Sequence, residues 1–388
     1  MSICHINCTW ILRLLRNNNE TGMRFPKALY ALAISSVVLF GCGDTGPIKI
    51  GFIAGLSGGD ADTGNASLNA LKLAASEVNK TGGVKGRTIE IIARDDQKDP
   101  KTALAAIREF DQLGITAVIG PIISSIGMAM LPVINELGIV TVSPTVSAAE
   151  FAGLHDYLFR INSTTRDNAT AYARHNIEKG RKRIALALDG ENEAFTESWY
   201  REFLLDFDKR NGRVVSKVWI NTPETSIALA ARHLLAEEPD AIVLITNAAD
   251  SAKLAREIRK IDRNIALSAA EWAGSEQLIE LGGDAVEGME LVQAYDRYSN
   301  DTKYKKFIDD YQQMFGAQPG YTSVLTYDAA TILFAALDHQ DPKQSLADAM
   351  ITLPPQQGLQ QDLIFDQFGD GNRNAYFVRI RDGKFIVE

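Results

Sequence analysis

Four groups of hydroxyl and carboxylate side chains stand where short apolar runs give out, and each is a candidate for chemistry. Gly55-Leu56-Ser57-Gly58-Gly59 matches the G-x-S-x-G pattern, in which a strained strand-to-helix turn exposes a nucleophilic serine. That elbow needs a helix to begin at once, whereas Gly58 to Gly64 reads as a prolonged loop. The segment is therefore expected to be a glycine-rich loop that contacts a ligand, with Ser57 at its tip. Phosphate is a poor candidate, because no Gly-Lys-Ser/Thr follows and Asp60 and Asp62 oppose an anion. Ser124 and Ser125 lie between Ile119-Gly120-Pro121 and a helix beginning near Ile126. The unsatisfied N–H groups and positive dipole end of such a helix suit a carboxylate, with an ordinary N-cap as the alternative. Ser143-Pro144-Thr145-Val146-Ser147 puts more hydroxyls at the next strand's carboxyl end, where open α/β sheets bind ligands. Glu271 and Trp272 end a further apolar run, setting a carboxylate suited to an ammonium beside a large ring. Phe195 offers either an apolar wall or a core residue.

Other chemistry is poorly supplied. His5, His155, His175, His233 and His339 are scattered with no partner at metal-ligand spacing. Asp95, Asp96 and Asp99 lack the Gly and Glu spacing of a calcium loop and read as structural. Cys4, Cys8 and Cys42 are the only cysteines, so the chain beyond Cys42 has no disulfide, thiolate metal site or cysteine nucleophile. No metal and no cofactor is expected. With 40 Lys and Arg against 49 Asp and Glu, the net charge of -9 argues against general nucleic-acid binding. A composition 46% hydrophobic and 23% charged rules out disorder and coiled coil, and 388 residues suggest two domains with a cleft between them.

The elements that must position these groups alternate. Short β-branched runs at Ile48 to Ala54, Ile89 to Ala93, Ala117 to Gly120 and Ile139 to Val142 read as strands buried on both faces. Amphipathic runs between them, including Lys101 to Leu113 and Ser125 to Leu137, read as helices, which makes one doubly wound lobe. A second series runs from the helix at Asp167 to Lys179 through strands at Ile184 to Leu188, Val214 to Ile220, Ala241 to Thr246 and Ile265 to Ala269. Helices at Thr302 to Phe315 and Thr322 to Leu337 follow. Leu363 to Phe368 and Ala375 to Ile380, joined by Gly369-Asp370-Gly371-Asn372, read as a hairpin. The predicted fold is α/β, with two doubly wound parallel-sheet lobes.

The N-terminus carries an address. Met23-Arg24-Phe25-Pro26-Lys27, the apolar stretch Ala28 to Phe40 and then Gly41-Cys42 read as a signal peptide too short to span a bilayer. Residues 1–22 look like an upstream extension. Leu39-Phe40-Gly41-Cys42 is similar to the bacterial lipobox, whose Cys is acylated and becomes the new N-terminus, although Phe40 stands where a small residue is usual. Cleavage elsewhere with Cys42 incidental is the alternative.

Taken together, Ile50-Gly51 to Leu56-Ser57-Gly58, Gly82-Gly83-Val84-Lys85-Gly86, Asp95-Asp96 with Asp99-Pro100, Ile119-Gly120-Pro121 to Ser124-Ser125, and Ser143-Pro144 carry a family signature. The chain from about Ile48 onward resembles the leucine/isoleucine/valine-binding family of ABC-transporter solute-binding proteins, which have the type I periplasmic binding fold. The resemblance implies two lobes joined by hinge strands near Ile161, Leu291 and Leu359 that close on a ligand. It assigns residues 47–161 and 292–359 to one lobe and 162–291 and 360–388 to the other. It implies that Ser124 and Ser125 hold a ligand carboxylate, while the Thr145 carbonyl, the Ser147 hydroxyl and Glu271 hold an ammonium. Where the family often places aromatic residues around the ligand side chain, this chain has Thr63, Phe195 and Ala248, which implies a roomier or more polar pocket.

The sequence thus predicts a lipid-anchored, monomeric solute receptor, exported to the periplasm or cell surface. It would bind a small amino acid, branched-chain or related, in the cleft between its lobes and serve an inner-membrane permease without catalysing a reaction. A receptor for an aromatic or aliphatic carboxylate or an amide, or a sensor for a signalling partner, is the alternative. An exported hydrolase using Ser57 is the competing class.

Overall fold

The computed structural model describes residues 46–58, 61–222, 225–371 and 373–388. The expected signal peptide and Cys42 lie outside them. Residues from Pro47 to Glu388 form one compact unit.

The first layer is built from β1 (Ile48–Ala54), α1 (Ala61–Lys80), β2 (Ile89–Asp95), α2 (Pro100–Gln112), β3 (Ala117–Ile119), α3 (Ser124–Leu137), β4 (Thr141–Ser143) and β5 (Leu158–Arg160). The strands form one parallel sheet in the order β2-β1-β3-β4-β5. β1 is an interior strand, and Ile50, Phe52, Ile53 and Ala54 are wholly buried because helices cover both faces. One face packs against α1, and the other against the group containing Ile107, Phe110 and Met130.

Then come α4 (Thr165–Glu178), β6 (Arg183–Asp189), α5 (Glu193–Lys209), β7 (Arg213–Ile220), α6 (Ile227–Leu235), β8 (Ala241–Ile245), α7 (Ala248–Ile261), β9 (Ala266–Ala269), α8 (Glu276–Gly282) and β10 (Glu290–Gln293). The chain continues through α9 (Thr302–Phe315), α10 (Tyr321–His339), α11 (Leu346–Thr352), β11 (Gln356–Gln357), β12 (Asp362–Leu363), β13 (Tyr376–Arg381) and β14 (Lys384–Val387). The second sheet runs β14-β13-β10-β9-β8-β6-β7, parallel except where β13 pairs antiparallel with β10 and β14. Helices α9 and α10 return to the first lobe. Leu325, Leu333 and Leu337 of α10 share the apolar cluster of β1, and Tyr304, Phe307 and Tyr311 of α9 pack with Ala70 and Leu73 of α1.

The chain therefore passes between sheets after Arg160, after Gln293 and again before Tyr376. Two glutamines stitch these crossings. Gln361 Nε2 donates to Ala294 O at 3.0 Å and Gln361 Oε1 accepts from Asn374 N at 2.7 Å, while Gln360 bonds the backbone of Asp296 in both directions.

Three expectations are corrected. The hairpin expected around Gly369-Asp370 does not form, since β12 pairs with β11 and the 376–381 strand pairs with β14. The turn is Asp382-Gly383, whose φ values of 51° and 64° are both in the left-handed region that a tight hairpin needs. Leu363 and Phe365, expected in the second lobe, are buried in the first sheet's cluster, with Phe365 edge-on to Phe159 at 5.2 Å. The loop after β1 is also shorter than expected. Helix α1 begins at Ala61, so Thr63 and Gly64 lie in its first turn, where a Cβ on Gly64 would sit 2.0 Å from Gly55 O. Glycine weakens a helix pattern in sequence, yet here only its small size lets the turn approach the loop. Among the described residues no helix is long and apolar enough to cross a membrane.

Candidate functional site

The carboxyl ends of β3 and β4 bring the predicted hydroxyls together. Helix α3 is capped at Ile123 with no side-chain cap bond, so Ser124 and Ser125 are its first two residues rather than its cap. Ser124 Oγ accepts from the N–H groups of Ser147 and Ala148 at 3.3 and 3.4 Å. Thr145 Oγ1 donates to Ile122 O at 2.5 Å, and the Thr145 carbonyl accepts from Asn162 Nδ2 at 3.3 Å. Ser147 O accepts from Thr165 N at 2.6 Å, which ties this loop to the start of α4 in the second lobe. Ser125 reaches across the cleft: its N–H donates to Asn192 Oδ1 at 3.1 Å, and its Oγ accepts from Ala194 N at 3.1 Å.

Glu271 follows β9 in a short 3-10 turn. Asn168 Nδ2 on α4 donates to its Oε1 at 2.8 Å, while its Oε2 is buried with no hydrogen-bond partner. One turn on from Asn168, the buried Tyr172 hydroxyl donates to Ala269 O at 2.5 Å and accepts from Val292 N at 2.7 Å, fixing the strand end from which Glu271 projects. Desolvation by burial lifts the Glu271 carboxyl above the ordinary glutamate pKa. Its own backbone, Asn168 and the nearby Trp199 indole offset only part of that, and the indole does so without a bond of normal geometry. A buried carboxylate oxygen of this kind is costly unless a cation or donor meets it.

Trp272 stands edge-on to the buried Phe195, with ring centroids 5.8 Å apart. Trp272 and Thr63 line a cavity of about 20 Å³ with Gly64, Asp96, Ile122 and Ile123. This cavity is smaller than the roomier pocket expected, while the groove that adjoins it is polar. Ala248 is buried in the second lobe's core and lines no cavity of the site. Burial pushes the Asp96 carboxyl up to about 6, partly offset by its bond from Lys98 N–H at 2.8 Å. Asp95 holds Leu56 N and Ser57, and Asp99 caps α2 through Thr102, so these two aspartates are structural, as the spacing suggested.

Ser57 is exposed and lines a polar groove of about 610 Å³ shared between the lobes. That groove adjoins the small cavity at Lys98, which lines both. No histidine lines the groove, and the Ser57 side chain is hydrogen-bonded with the Asp95 carboxylate. The largest cavity described, about 1010 Å³, is bounded by α7 and α8 and holds none of the predicted site residues. The single group of metal-type ligands among the described residues, His175, Glu290 and Glu388, is already occupied by cations. Arg181 and Arg379 bond Glu290 at 2.6 and 2.5 Å, and Arg379 bonds Glu388 at 2.6 Å.

Sequence reasoning missed Asn168 and Asn192. Asn168 is legible only as a polar residue four before a buried Tyr172 on one helix face, and Asn192 carries no local signal beyond its position before a helix.

A cleft between two α/β lobes, with hydroxyls and helix N-termini on one side and a buried carboxylate on the other, is the geometry of a ligand-binding site. The chain belongs to the periplasmic binding protein family, matched over residues 47–384, and within it to the leucine/isoleucine/valine-binding type I group. It is 24% identical over 331 residues to the Leu/Ile/Val-binding protein of Escherichia coli K12, covering 85% of this chain and 88% of that protein. It shares its fold with the branched-chain amino acid transporter substrate-binding protein LivJ from Streptococcus pneumoniae, solved with isoleucine, at a TM-score of 0.80 and 20% identity, covering 87% of this chain and 97% of that one. An ABC-transporter solute-binding protein from R. palustris, solved with benzoate, has a TM-score of 0.79 and 20% identity, covering 88% and 95%.

Proposed function

We propose that this chain is the extracytoplasmic solute-binding protein of an ABC importer and captures a small α-amino acid between its lobes. The observation that carries this reading is Glu271: one oxygen is held by Asn168, and the other is buried without a partner, poised for an ammonium. The carboxylate would meet the N-terminus of α3 at Ser124 and Ser125, where N–H groups and the helix dipole favour negative charge. The Thr145 carbonyl and Ser147 would complete the ammonium contacts, and Phe195 and Trp272 would enclose the α-carbon. Lobes of residues 47–161 with 292–359 and 162–291 with 360–388, less the Leu363 to Phe365 stretch, would hinge at the glutamine-stitched crossings. Ligand binding would favour the closed form, whose surface a permease reads.

Lipidation at Cys42 would hold this monomer at the membrane, and its acidic body would stand off anionic lipid. No reaction is catalysed in this reading. A receptor for an aromatic carboxylate is the second reading, favoured by the Phe195 and Trp272 ring pair and by the benzoate-bound R. palustris relative.

Thermal melting of the full chain with amino acids, aromatic acids, aliphatic acids and amides separates the two. A ligand at 100 times its Kd adds about 2.7 kcal/mol to stability. Shifts confined to α-amino acids support the first reading, shifts with acids lacking an amine move the assignment to the second, and no shift contradicts both.

A further inference from the structure

The space around the proposed amino-acid site is unevenly distributed, and that asymmetry bears on the ligand's side chain. The cavity beside Trp272 is about 20 Å³, room for about one water molecule. The adjoining groove is about 610 Å³ and its walls are polar on both lobes. From the first lobe come Gln97 and Lys98, and from the second Glu191, Asn221, Asp250 and Lys253.

The charges in this groove cancel in pairs. Lys98 Nζ lies 3.2 Å from Glu191 across the cleft, and Lys253 Nζ lies 2.8 Å from Asp250. Asn221 Nδ2 donates to both Asp189 and Asp250, at 3.1 and 2.8 Å. Two carboxamide groups remain: Asn221 Oδ1 and the Gln97 side chain have no hydrogen-bond partner among the described residues. Both residues stand on left-handed backbone, with φ of 57° and 52°, which turns them out of their strand ends at the groove. A charged group entering here would have to break an existing ion pair, whereas a neutral group that both donates and accepts would add bonds to partners already exposed.

We infer, resting on the amino-acid reading above, that the ligand is an α-amino acid with a neutral carboxamide side chain, whose amide lies in the groove against Asn221 and Gln97. A branched aliphatic side chain has neither room beside Trp272 nor apolar wall in the groove.

Calorimetry of the full chain with L-glutamine, L-asparagine, L-leucine, L-isoleucine and glycine tests this. The expected result is that glutamine or asparagine binds at least tenfold more tightly than leucine or isoleucine. Gln97→Gly and Asn221→Gly, which keep the left-handed backbone, should each cut that advantage at least fivefold. Melting of ligand-free Gln97→Gly within about 2 °C of the parent shows that its fold is intact, at the scale expected for a surface change, while Asn221→Gly, which also removes a donor from Asp189 and Asp250, should melt several degrees lower with an unchanged far-ultraviolet circular dichroism spectrum. Leucine or isoleucine binding as tightly as the amides overturns the inference and leaves the amino-acid receptor standing. An amide advantage unchanged in both variants also overturns it. Binding of none of the five overturns the amino-acid reading and the inference with it.

Discussion

Ser125 and Asn192 cap each other's helices across the cleft. The Ser125 N–H at the start of α3 donates to Asn192 Oδ1, and Ser125 Oγ accepts from Ala194 N in the first turn of α5, both at 3.1 Å. Asn192 makes no cap bond within its own helix. Its amide oxygen thus holds the acceptor position that a ligand carboxylate needs at α3, and a ligand must displace it.

Asn192→Ala removes that competitor. A cap bond is worth about 1 kcal/mol, so the affinity for a carboxylate ligand should rise about fivefold in calorimetry. The ligand-free variant should also be more open, with a larger radius of gyration in solution scattering. An affinity that falls would show that Asn192 contacts the ligand instead of competing with it.

Burial raises the Glu271 pKa, with a definite consequence for the ligand-free protein. A carboxyl whose pKa is higher folded than unfolded favours folding while protonated, and that contribution is lost as pH rises through the folded value. At pH 7.5, above the ordinary glutamate pKa, that contribution is diminished in the empty site. Glu271→Gln should raise ligand-free stability by about 1 kcal/mol at that pH, with the gap closing as the solution is acidified. Parallel melting curves across pH would contradict this.

Glu290 behaves oppositely. Although burial pushes its carboxyl up, bonds from His175 and Arg181 bring it down to about 2. A depressed carboxylate stabilises the fold above its unfolded pKa and loses that contribution as pH falls through the folded one. Glu290→Gln should cost about 3 kcal/mol at pH 7, since it also strands Arg181 and Arg379. The difference from the parent should shrink between about pH 4.5 and 2, followed by denaturant melts.

Trp272 is the proposed size filter. Trp272→Ala should enlarge the cavity beside Thr63 and raise the affinity for leucine and isoleucine at least tenfold relative to glycine, measured by competition calorimetry. No change in that ratio would remove Trp272 from the specificity argument.

Much of this architecture was legible because both sheets are covered on both faces, so their strands read as continuous apolar runs: Ile48–Ala54 has the same bounds in sequence and structure. Strands β5 and β10 were absent from the reading of apolar runs, and only the family resemblance pointed to them, through hinge strands near Ile161 and Leu291. The C-terminal hairpin was misplaced because Gly369-Asp370-Gly371 competes with Asp382-Gly383 as a turn signal, and only the pairing of β13 with β10 decides between them. At the site, Ser124 and Ser147 were legible as neighbouring strand ends, and they touch. The partners that orient the remaining groups were not. Asn192 is 67 residues from Ser125 and Asn168 is 103 from Glu271, and nothing local in sequence encodes such contacts.

The most direct test of the receptor reading is calorimetry of the parent and Glu271→Gln with one amino acid and its des-amino acid, using the amino acid that gives the largest melting shift. The account predicts that Glu271→Gln weakens the amino acid at least 100-fold and leaves the des-amino acid within about twofold, a difference of about 2.3 kcal/mol or more between the two ligands. Equal loss for both ligands, or undiminished amino-acid binding in Glu271→Gln, would contradict it.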